Sequence, residues 1–78
     1  MTTFPSITGS RLIRALKKFE FKVIRIKGSH HFLQYQDGRC TVVPLHRRES
    51  IGRGLLAQIL RDCDIIKDEL LLQRHLDT

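Results

Sequence analysis

The sequence predicts an α+β fold in which one three-stranded antiparallel sheet carries helices on one face, in the order α-β-β-β-α with a possible short third helix. Two separate segments, near residues 10–20 and 50–63, repeat apolar residues at helical spacing. Between them lie three short runs rich in β-branched and aromatic residues. Two of those runs flank Asp37-Gly38, a strong hairpin signal because both central residues of a type I′ turn need positive φ.

In chain order, Thr8 or Ser10 suits an N-cap, and Leu12, Ile13, Leu16 and Phe19 then form one apolar stripe. Arg11, Arg14, Lys17 and Lys18 fall mainly outside it. Phe21 to Lys27 reads as a strand that the flexible Gly28 closes. His31 to Gln36 and Arg39 to Val43 are the hairpin strands, and Pro44 is expected to end the ladder. Ser50 offers an N-cap to a helix whose inward residues are Leu55, Leu56, Ile59 and Leu60, with Cys63 near its end. The leucine-rich Ile65 to Leu76 supplies the third helix.

A two-residue Asp37-Gly38 turn places Gln36 opposite Arg39, Tyr35 opposite Cys40, Leu33 opposite Val42, Phe32 opposite Val43 and His30 opposite Leu45. The face with Leu33, Tyr35, Cys40 and Val42 is the more apolar and is expected to lie under the helices; His31 and His46 share its parity. His30 falls on the other face, with Gln34 and Thr41, beside Phe32 and Val43. On that register His30 is the exposed, reactive histidine and His31 the reserve. A three-residue loop would exchange the faces.

The chain's 78 residues suit one domain, 1–78, whose last part, 65–78, is a helical tail. A core of this size buries roughly 60% of the unfolded chain's surface, too little for a deep enclosed cavity, so a surface site is expected. Fourteen Lys and Arg against eight Asp and Glu give a net charge of +6. The excess is uneven. Met1 to Arg48 holds ten basic and two acidic residues, and Glu49 to Thr78 holds four and six. One end of the molecule should present positive potential, the footprint of a phosphate-backbone binder. No signal peptide, membrane-length apolar run, repeat or low-complexity segment is present, which points to the cytoplasm and to no membrane partner. Cys40 and Cys63 show no metal-ligand spacing and are expected as two buried, reduced thiols.

Gly28-Ser29-His30-His31 precedes the hairpin, and Val43-Pro44-Leu45-His46 follows it. With a helix and strand before them and a helix after, these motifs resemble the HicA family of small mRNA interferase toxins over about Ile7 to Leu72. The resemblance implies a fold like that of double-stranded-RNA-binding domains. It implies cleavage of mRNA by a motif histidine without metal or cofactor, and a HicB-like antitoxin that holds the toxin inactive. Carried over, the motif falls on Gly28, Ser29, His30 and His31. The family tolerates Asn at the first histidine position, which favours His31, whereas hairpin parity favours His30.

RNA cleavage needs a base to take the proton of a 2′-OH and a group that stabilises the departing oxygen, and histidine's ordinary pKa suits the first task. Gly28 leaves room for a phosphate and Ser29 can donate a hydrogen bond to it. Lys27, Arg25, Arg47 and Arg48 are the candidate cations. His46 is expected to support the site, by orienting the segment or by direct proton transfer. Glu20 and Asp37 are the only acids before Glu49, so no carboxylate cluster for a metal is expected near the motif. The alternative is a non-catalytic RNA-binding module of the same fold. Duplex binders of that kind want a lysine cluster opening the last helix, where Ser50-Ile51-Gly52-Arg53-Gly54 provides one Arg. A pure interaction module is a third reading, and it leaves the Gly-Ser-His-His run without a purpose.

Overall fold

The computed structural model describes residues 6–76, with side chains through residue 72. Its elements are α1 (Gly9–Lys18), β1 (Lys22–Lys27), β2 (His30–Gln34), β3 (Cys40–Pro44), α2 (Arg53–Cys63) and α3 (Lys67–Leu76). The strands form one antiparallel sheet in the order β1-β2-β3. This is the expected α+β architecture, with the third helix present.

Helix α1 starts where Thr8 caps it, its hydroxyl accepting from the Arg11 N–H at 3.3 Å. Leu12, Ile13, Ala15 and Leu16 are buried along one face, and Phe19 is only partly covered. Phe21, expected as the first strand residue, instead lies at the corner, buried, with its N–H donating to Leu16 C=O at 3.0 Å. Closing the helix end uses the backbone group that a ladder would need.

The second hairpin corrects the expected register by one residue. His30 pairs with Pro44, His31 with Val43, Phe32 with Val42, Leu33 with Thr41 and Gln34 with Cys40. Tyr35 N–H donates to Arg39 C=O at 2.8 Å and Gly38 N–H to Tyr35 C=O at 2.9 Å. Gly38 alone in the loop has positive φ, at 101°. These bonds define a three-residue loop, a tight turn followed by a left-handed glycine. Arg39 decides the outcome. Its backbone N–H and Nε donate to the Asp37 carboxylate at 3.0 and 2.8 Å, and Nη1 donates to Cys63 C=O at 2.6 Å. Its guanidinium also lies 4.5 Å from the Tyr35 ring centre and 5.8 Å from that of Phe21. The Arg39 N–H bond, the largest influence, holds the Asp37 carboxyl below its usual pKa.

The slip moves β3 and leaves β2 in place. Thr41 and Val43 now join Leu33 on the covered face, where Val43 is fully buried and the Thr41 hydroxyl donates to Asp62 at 3.1 Å. Val42 and Cys40 go to the open face with Phe32, so of the two thiols expected in the core only Cys63 is buried. His30 remains exposed and His31 remains on the covered side, because Leu33 fixes the parity of their own strand. Pro44 ends the ladder as expected, being the last residue of β3 and paired with His30, and one bond follows it outside the strand, from Leu45 N–H to Ser29 C=O at 2.7 Å. Strand β1 contains a bulge, since Val23 pairs with Leu33 and Arg25 with Phe32, leaving Ile24 extra.

Helix α2 has Gly52 at its N-cap and no side-chain cap. Ser50, the expected cap, lies in a short bridge opposite Thr8, its hydroxyl 2.9 Å from that of Ser6, and Ile51 N–H donates to Ile7 C=O at 2.8 Å. Leu56, Ile59, Leu60 and Cys63 are buried as expected, but Leu55 is 41% exposed. Helices α1 and α2 pack on the face bearing Leu33, Thr41 and Val43, and α3 packs on α1 with Leu70 buried. Helix α3 begins at Lys67, where Glu69 accepts from the Ile66 N–H at 2.9 Å. No described helix is long and apolar enough to cross a membrane.

Candidate active site

The Gly-Ser-His-His run is the tip of the first hairpin. Lys27 and His30 are paired across a two-residue turn made of Gly28 and Ser29. Gly28 has φ 59° and Ser29 a negative φ, which is the pattern of a type II′ turn with glycine first. A Cβ built on Gly28 meets nothing within 4 Å, so the glycine serves the backbone angle and the space beside it is open.

His30 is the first residue of β2 and is exposed on the open face. His31 is half-buried on the covered face, and its Nδ1 is buried with no hydrogen-bond partner. Strand alternation has separated two neighbours in sequence. His30 can turn either nitrogen to a ligand, whereas His31 can offer only Nε2.

The sequence candidates Arg25, Lys27, Gly28, Ser29 and His30 all lie on this one hairpin. Arg25 and Lys27 pair with Phe32 and His30, on the open face. The Leu45–Ser29 bond brings the end of β3 against the turn, and His46, Arg47 and Arg48 follow it in an exposed loop. Arg47 holds a left-handed φ of 46°, a conformation that costs a non-glycine residue about 1 kcal/mol or more. The His46 ring makes no hydrogen bond to the described residues; its carbonyl accepts from Glu49 N–H at 2.9 Å, and the ring lines a hollow of about 220 Å³ with Pro44, Glu49 and Ser50. Its segment is held beside the turn by backbone, through Leu45. Among the described residues, no three His, Cys, Asp or Glu side chains are grouped to hold a metal ion.

Next to His30 the open face carries a second feature that the sequence reading did not assemble. The Arg25 guanidinium lies 5.7 Å from the centre of the Phe32 ring. A groove of about 370 Å³ is lined by Ile24, Phe32, Gln34 and Val42 of the sheet together with Thr41 of β3 and Leu55 and Ile59 of α2. The available signal was Phe32 itself, an aromatic residue on the same strand parity as His30. Its neighbours there depended on the bulge and the shifted register.

A search of the curated proteins finds no match. The family described as HicA toxin of bacterial toxin-antitoxin matches residues 9–65, more than half of the chain. With the Gly-Ser-His-His hairpin and the basic loop inside that span, the chain belongs to the HicA toxin family.

Proposed function

We propose that the chain is a metal-independent endoribonuclease that cuts mRNA, with His30 as its acid-base group and His31 in reserve. The observation that carries this reading is the placement of His30: exposed, at the tip of a turn with open space, opposite Lys27 and on the face that bears Arg25. His30 removes the 2′-OH proton, the oxygen attacks the adjacent phosphorus, and the bond to the 5′ oxygen breaks as that oxygen takes up a proton from water, after which His30 returns its own proton to solvent. The products are a 2′,3′-cyclic phosphate and a 5′-hydroxyl. The Ser29 hydroxyl and the cations Arg25, Lys27, Arg47 and Arg48 act on the charge developing at phosphorus. The inward Nδ1 of His31 leaves that ring less free to turn, which supports His30 as the first choice.

Membership of a toxin–antitoxin family implies an antitoxin partner. A small, exposed, basic site is shut only by covering it, so the partner is an acidic, HicB-like protein on the face with His30, Lys27, Arg47 and Arg48. It excludes RNA by occupying the same surface.

The test is purified protein with labelled single-stranded and double-stranded RNA in EDTA. Cleavage of the single strand by the native protein and none by His30→Ala supports the reading. Binding without cleavage returns the RNA-binding module. Cleavage that EDTA stops and magnesium restores sinks the metal-free mechanism.

A further inference from the structure

We propose that the open sheet face beside His30 is a nucleobase subsite, in which one unpaired base of the RNA stacks on the Phe32–Arg25 pair and presents its edge to Gln34. The proposal rests on the RNA-cleaving reading of the same face.

Phe32 is not a core residue. Leu33 and Val43 fill the core from the other side of the sheet, while the Phe32 ring is half-buried in a groove that Ile24, Val42 and Leu55 also line. Ile24 is 58% exposed and Leu55 41%. An apolar, concave surface left open in so small a protein is where a ligand is expected. The β1 bulge contributes directly: strict alternation turns only one of two adjacent residues to a given face, yet Ile24 lines the groove and Arg25 lies over Phe32.

The chemistry of the groove selects a base. An aromatic ring with a guanidinium beside it is the kind of surface on which unpaired bases stack. Gln34 is exposed and its amide makes no hydrogen bond among the described residues, leaving two donors and an acceptor for a base edge. Asp62, also on the groove, is already engaged by Thr41 and Gln58. Position agrees with chemistry. His30 and Phe32 share a face two residues apart, about 7 Å along the strand, so one nucleotide spans them with its ribose at His30 and its base at Phe32. A base inside a duplex is already stacked and paired, so the subsite selects single strands. An acidic protein segment is the competing occupant of an apolar groove beside Arg25, but it has no use for a free amide beside a stacked ring and cation.

The experiment measures binding of His30→Ala protein to a short single-stranded RNA, and to versions in which one nucleotide is made abasic at each position in turn. One position should stand out, with affinity weaker on the order of 10-fold, the worth of one stacked base. In the His30→Ala/Phe32→Leu protein that sensitivity should vanish, and in His30→Ala/Gln34→Ala the base preferred at that position should change. Uniform loss across all positions, or none, overturns the subsite, and does so with native Phe32 whether or not the Leu variant folds. So does an acidic antitoxin, and not RNA, shifting the Phe32 ring resonances. Native protein assayed for cleavage in parallel separates the two ideas. Cleavage without a base-sensitive position removes the subsite alone, and a base-sensitive position without cleavage removes the nuclease reading alone.

Discussion

Adjacent histidines in a strand face opposite ways, and each of this pair has its own expected behaviour. His30→Ala should lower RNA cleavage by on the order of 10²–10⁴, the usual worth of a general base, with little change in the urea midpoint because the side chain is exposed. His31→Ala should reverse the balance, costing more stability and less activity, since its ring is half-buried. A folded, inactive His31→Ala together with a His30→Asn that still cuts RNA assigns the chemistry to His31. The cysteines separate in the same way. Burial, the main influence, pushes the Cys63 thiol up from 9.0 to about 12, whereas Cys40 is exposed. A thiol reagent should therefore label one cysteine in native protein and both after unfolding. Because only the unfolded state ionises Cys63 at its ordinary pKa, stability from this group is complete below pH 9.0 and is lost as pH rises toward about 12. A second cysteine labelling as fast as the first under native conditions contradicts this.

At the scale of elements, the α1 stripe, the three strands and the α2 stripe were legible because each follows from local periodicity. The register of β3 was not. Cys40-Thr41-Val42-Val43 places one valine and one small residue on each parity, so burial preference is nearly balanced and the loop length is decided elsewhere. It is decided by Arg39, whose partner Cys63 C=O lies 24 residues away, a tertiary contact that no turn rule contains. The β1 bulge was equally hidden, since Val23-Ile24-Arg25 reads as ordinary strand. Deleting Ile24 should be tolerated, because Val23 and Arg25 become neighbours and keep the faces they already have. The melting temperature checks this, and a deletion variant that fails to fold shows that the bulge is required by the sheet itself. Gly9→Ala should be costly for a different reason. A Cβ there falls 2.5 Å from the Pro44 carbonyl oxygen, so α1 must move off β3, at about 1–3 kcal/mol for an overpacked contact. An unchanged urea midpoint means that the helix shifts freely.

For the whole molecule, the Gly-Ser-His-His run was legible as a unit because it sits on one local hairpin, whereas the groove was not, because Leu55 reaches it from α2. The uneven charge acts at this scale as well. Arg47 and Arg48 lie in the exposed loop beside the turn, and replacing both with Ala should weaken single-stranded RNA and antitoxin together. The slope of log affinity against log salt should fall by about 0.7 for each phosphate contact removed. An unchanged slope places the RNA path away from that loop.

The bridge between Thr8 and Ser50, with Ile51 bonded to Ile7, bears on the order in which the chain assembles. Each hairpin closes across a few residues, but the segments leading into α1 and α2 meet across a separation of 44, as Ser6 and Ser50 show. Closing the longer loop costs more chain entropy and waits on contacts that only later residues supply. During synthesis α1 is made first, yet its berth between β3 and α3 does not exist until most of the chain has followed. The Gly28-Ser29 turn beside His30 needs only its own neighbours to close, whereas the first helix needs contacts from residues that come much later in the chain.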